Sequence, residues 1–155
     1  MLLRGILTVF GLISLGNGIY MLVAPDHWFH EMPAAIPDTG PMNAHFVRDV
    51  GVVYALSGAG LLWGALNLAR AYPVLVMVAL FYAGHGALHV MDIVMGHLPP
   101  DHWWIDFAGV FLPAVSLCVL AWPSVWRWYY PAVPRSSRAC SPARSSARRS
   151  ACWAA

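Results

Sequence analysis

The chain contains no lysine, and charge of either sign is scarce: its 9 cationic side chains are all arginine, set against 7 Asp and Glu. Charged residues make up 10% of the sequence, where soluble domains carry about 25%. With 59% hydrophobic residues, that deficit excludes an ordinary soluble domain and points to an integral membrane protein. Cysteine is nearly absent as well. Cys118 falls in an apolar segment and Cys140 and Cys152 near the C-terminus, so there is neither a disulfide framework nor a Cys-x-x-Cys motif. No nucleic-acid partner is expected; the lipid bilayer, and with it another membrane protein, is.

Four apolar stretches are present, at about 5–24, 44–68, 73–96 and 102–126, each long enough to cross a hydrocarbon layer of roughly 30 Å. The expected fold is all-α, an integral membrane four-helix bundle over residues 1–130. The first stretch follows Arg4 and could pass for a signal peptide, but its apolar core is too long and Pro25 follows the only suitable cleavage residue, Ala24. Residues 131–155 are almost wholly Arg, Ser, Ala and Pro, which predicts a disordered cytoplasmic tail able to rest on anionic lipid heads. A reading frame extended past its native end is the competing account of that composition. With four spans, Arg4, Arg70 and the tail share one side, which the positive-inside rule makes cytoplasmic. Both termini are then inside, in a bacterial inner membrane, and the His- and Asp-rich loops face outward.

Small residues supply the expected contact faces: Ser14 with Gly18, Gly60 with Gly64, and Ala79, Ala83 and Ala87. Pro25 to Asn43 reads as a loop, in which Trp28 and Phe29 dip into the headgroup zone. The neighbouring His27, His30 and Glu31 have a spacing that suits a metal, but a solvated face accounts for them more simply. Pro113 cannot donate to the Gly109 carbonyl, which is freed one turn beyond Asp106.

The residues that organise this plan lie in Phe81 to His97. On a helix, His85, His89 and Asp92 fall within a sector of roughly 60°, one polar stripe on an apolar rod. Ionisable groups in hydrocarbon turn to a bundle interior, a partner or a water-filled cavity. Asn17, His45, Arg48, Asp49 and Asp106 fall in the same outer half, so an outward-opening pocket is expected from all eight. Arg48 is the only arginine off the cytoplasmic side, and an acidic partner such as Asp49 or Asp92, or an anionic ligand, is expected for it.

Three functions fit such a pocket. It could fix bundle register in a structural or accessory subunit of a membrane system, possible redox duty included. It could bind a transition metal or haem, with His85 and His89 chelating and Asp92 completing or orienting the shell. It could carry protons or a small solute. His-Gly-Ala-Leu-His lacks the glutamate of the metalloprotease helix, so zinc hydrolysis and an enzyme reading gain nothing from it. Met91 and Met95, the thioethers copper(I) favours, project away from the stripe.

The four-span layout, the Gly-rich first span ending at Pro25, and Asn43-Ala-His-Phe-Val-Arg-Asp-Val-Gly51 resemble small bacterial membrane proteins of the DoxX-like group. The resemblance covers about residues 5–126. It implies an inner-membrane protein accessory to a respiratory or redox system, and it carries over no catalytic residue.

Overall fold

The computed structural model describes residues 1–129, and these are helical throughout with no strand among them. The tail expected at 131–155 lies outside the described residues. Three long helices dominate: α1 (Leu2–Val23), α3 (Ala44–Leu66) and α4 (Tyr72–Met95). Each is long and apolar enough to cross a membrane. Between them lie a short helix α2 (Pro25–Glu31) and two 3₁₀ turns, Ile36–Thr39 and Leu68–Arg70. The C-terminal part comprises α5 (His102–Ile105), a π-helical stretch (Phe107–Phe111), α6 (Leu112–Ala121) and α7 (Pro123–Tyr129).

Glycine decides how α1 meets α3. Gly11 and Gly18 on α1 face Gly58 and Gly51 on α3 across an antiparallel contact, and a Cβ built on any of the four would strike the opposite helix. Seven residues bring a helix back to nearly the same face, so this spacing holds the two backbones together over two turns. Close approach of backbones through small residues is what drives helix association in lipid. Ser14 sits in the same seam, bonded to the Phe10 carbonyl and to the Tyr82 hydroxyl of α4. The expected Gly60 and Gly64 face also forms, against Val74 and Ala71 at the start of α4.

On α4 the buried face runs through Leu75, Val78, Ala79, Tyr82, Gly86 and Ile93. It differs from the expected alanine row: Ala79 is enclosed under Cys118, but Ala87 is exposed. The larger Tyr82 fills the position that fixes the face. α4 ends at Gly96, whose φ of +76° lets the chain turn left-handed so that the His97 N–H folds back onto the Asp92 carbonyl.

The fourth segment, expected as a span over 102–126, is interrupted twice. It widens at Phe107–Phe111, where the Asp106 carbonyl accepts from both Val110 and Phe111. Pro113 supplies no N–H just beyond, which favours this local respacing of the ladder. A second break follows at Trp122, held extended ahead of Pro123, and the axis turns by 75° into α7. The segment counts as a fourth membrane crossing only if that bent pair is one span.

α2 is a further difference, since a loop was expected there. Pro25 opens it, Phe29 is enclosed in the core, and the Trp28 indole donates to Asn17 at 2.8 Å. Phe29 therefore packs against protein, where the headgroup zone was expected.

Candidate functional site

The most enclosed ionisable groups are two that lie one turn apart on α5 and its exit, His102 (0% exposed) and Asp106 (2% exposed). The left-handed turn at Gly96 and the Pro99–Pro100 pair reverse the chain after α4, and the π-helical stretch that follows α5 packs against α4. Asp106 Oδ2 then accepts from two imidazoles, His89 Nδ1 at 2.7 Å and His102 Nδ1 at 3.1 Å. The other nitrogen of His102, Nε2, reaches Asp38 Oδ2 at 3.3 Å, and that carboxylate is 47% exposed. The His89 ring meets the His85 ring edge to face, with centroids 4.7 Å apart. A line of five titratable groups thus runs from the surface inward: Asp38, His102, Asp106, His89, His85.

Each ring nitrogen of His102 faces a carboxylate oxygen, an arrangement that favours the protonated imidazolium, which donates from both. Burial alone would lower the pKa of His102, but the hydrogen bonds to Asp106 and Asp38 outweigh it and the pKa lies above the ordinary 6.5. His102 precedes Phe107–Ala121, the first helix of the bent pair that could form a fourth span, and so lies outside it. A folded-state pKa raised above the unfolded one stabilises the fold fully below about 6.5, and that stabilisation fades as pH rises through the raised value. The melting temperature should accordingly fall as pH climbs upward from about 6.5, and His102→Gln should remove that part of the slope. An unchanged slope in the variant would contradict the charge assigned to His102.

The eight residues singled out from sequence divide into two sets. His89 and Asp106 are joined directly and His85 lies against them, which places three of the eight on the line. Asp92 turns away to His97, at 3.3 Å and partly exposed. His45 and Asp49 are exposed and face each other at 3.5 Å on the first turns of α3. Arg48 is exposed and donates from Nε to the Leu22 carbonyl at 3.3 Å, so a backbone oxygen at the end of α1 takes the place of the acidic partner expected for it. Asn17 accepts from Trp28 and contacts the Met21 sulfur, tying α2 to α1.

Sequence reasoning missed His102 and Asp38. His102 stands at i,i+4 to Asp106, the same spacing that exposed the His85–His89 pair, so that signal was present. Asp38 lies 64 positions from its partner in a turn-forming stretch, and no local pattern announces it.

For a metal or haem the arrangement offers two imidazoles, His85 and His89, the second oriented by a carboxylate as metal-bound imidazoles usually are. Among the described residues no group of three or more His, Cys, Asp or Glu is disposed around one point to hold a metal ion. Met91 and Met95 are exposed. Chemically, the line suits proton storage and transfer: every member can take up or release a proton, and its outer end meets water.

Compared with known proteins, the chain matches no family model, no curated sequence and no solved structure.

Proposed function

We propose that the chain is a four-helix-bundle protein of the bacterial inner membrane, both termini cytoplasmic. In this reading it serves a larger membrane system as an accessory subunit and holds a proton relay in its outer half. The observation that carries the reading is the shared Asp106 oxygen, which receives His89 and His102 while His102 also reaches the surface-exposed Asp38. A network that only fixed register would serve as well with amides and hydroxyls; here every member is an acid–base side chain, and intramembrane chains of His and Asp mark proton paths. The resemblance to DoxX-like proteins points toward the same accessory role.

The line stops at His85. Beyond it lie the rings of Phe81, Tyr54 and Tyr82, and the next hydrogen bond, Tyr82 to Ser14, is not joined to it. A half-path exchanges protons with the outer face without conducting them across. Infrared difference spectra as His102 loses its proton above about pH 6.5 should then show its imidazole bands changing together with shifts in the carboxylate bands bonded to it, and Asp106→Asn should remove that coupling. Proteoliposomes under a pH gradient should leak no faster than protein-free vesicles. Histidine bands that titrate identically with and without Asp106 would defeat the relay, and rapid proton flux would replace it with transport.

A further inference from the structure

The charges of this chain divide between its two ends. Because α1 and α3 run antiparallel, the start of α1, the end of α3 and the start of α4 lie together. α7 joins them: the Tyr72 ring packs on Trp126 with centroids 5.3 Å apart, and its hydroxyl donates to the Ala121 carbonyl. This end therefore gathers Arg4, Arg70 and Arg127. Every Asp and Glu, from Asp26 to Asp106, lies toward the other end, and no acidic residue follows Asp106 in the sequence. The arginine end also holds a hollow of about 250 Å³, in the elbow where the axis turns by 75° from α6 into α7. Cys118, Val119, Trp122 and Val125 line it, and the Cys118 thiol is turned away to the Ala79 carbonyl.

Water gains little from an apolar hollow, whereas a cavity of about 150 Å³ with such walls already takes a benzene ring. The charge nearby narrows the guest further. On α7, Arg127 stands about 160° from Val125, so the polar side of this helix is opposite the hollow. With α6 crossing a bilayer, the 75° turn lays α7 nearly in the plane of its surface. Val125 then faces the acyl chains, the exposed Trp122 and Trp128 the interface, and the exposed Arg127 the headgroups. A second copy docking by the same end would set arginines against arginines. The last segment of the chain, with five more arginines after Arg127, would do the same. The matching occupant is negative at its head and apolar along its length. We propose that the elbow between α6 and α7 is a binding site for an anionic phospholipid, with one acyl chain in the hollow and the phosphate against Arg127. The inference needs the bilayer but not the relay, which lies toward the opposite end.

The test uses the full chain in phosphatidylcholine nanodiscs containing a trace of phosphatidylglycerol with a diazirine on one acyl chain. Phosphatidylcholine carrying the same diazirine is the comparison. After photolysis the labelled peptides are read by mass spectrometry. Label within 115–128, relative to that on the other helices, should be about fivefold stronger from phosphatidylglycerol, the weight of one basic residue at an anionic surface. Arg127→Gln should bring the two lipids level. Val119→Trp fills the hollow from a half-exposed position, which the fold tolerates, and should remove the elbow label of both lipids. Arg48→Gln and Asp106→Asn, toward the opposite end, should leave the preference unchanged, so the site and the relay stand or fall separately. Melting temperatures check that each variant is folded. Equal labelling by the two lipids, label spread along all helices, or an Arg127→Gln variant equal to the parent would overturn the site. So would crosslinks from the elbow to a second copy or to 131–155 in place of lipid.

Discussion

Replacing Gly58 with alanine is expected to destabilise the folded protein by about 3 kcal/mol or more, at or beyond the upper end of ordinary overpacking. The added methyl would meet the backbone of Leu15, both its nitrogen and its Cα, at distances no real Cβ tolerates. Flexible side chains yield to an intruder, but a helix backbone yields only by moving as a whole. Gly18→Ala strikes the Ala55 backbone in the same way, so the two variants should resemble each other. Gly51 meets Met21 Cβ at 2.8 Å, an atom fixed to the α1 backbone, so Gly51→Ala should also be costly, whereas Gly11 meets Leu62 Cγ at 2.8 Å, which can shift by rotamer, and should be milder. Gly84 is the control: nothing lies within 4 Å of the place its methyl would take, and alanine there should be neutral or stabilise by up to about 1 kcal/mol through helix propensity. Melting temperatures in detergent, with yields of monodisperse protein, give the comparison. If Gly58→Ala and Gly84→Ala melt alike, the seam between α1 and α3 is not what holds them.

Much of this fold was legible because long apolar runs simplify the code. A charge-free run of twenty residues has few alternatives to a helix, and α1, α3 and α4 fall within a few residues of the apolar stretches at 5–24, 44–68 and 73–96. The breaks in the fourth segment were not legible because composition sees apolarity and not direction: Pro123 turns the axis, and the widened turn before Pro113 shifts register without altering hydropathy. The site was legible in part for the same reason. His89 and Asp106 lie on apolar helices with few polar neighbours, and they bond to each other. Arg48, His45 and Asp49 sit on the first turns of α3, where water reaches them, so nothing compelled them to join a pocket. Asp38 came from a loop whose path no periodicity dictates.

The sequence put Asp92 in the His85–His89 stripe and Asp106 only at the edge of the pocket, yet Asp106 is the aspartate whose replacement should cost more. Asp106→Ala takes away the shared acceptor of His89 and His102 and strands an enclosed imidazolium with one partly exposed partner. Breaking a buried pair from one side costs about 3–5 kcal/mol, and that is the loss expected near pH 6, where His102 is charged. Asp92 is paired with His97 at a site open to water, 39% and 66% exposed respectively, so Asp92→Asn should cost less than about 1 kcal/mol. The pH dependence sharpens the contrast. In the parent, protonation of His102 stabilises the fold below its raised pKa. Without Asp106, burial disfavours the charged ring, so the variant suffers most in acid and recovers as His102 loses its proton. The gap in melting temperature between parent and Asp106→Ala should therefore narrow as pH rises from about 6 toward 9. Asp92→Asn should run parallel to the parent throughout. A constant gap for Asp106→Ala would mean that His102 is neutral in the fold, and a large loss for Asp92→Asn would place the essential carboxylate on α4, not at the exit of α5.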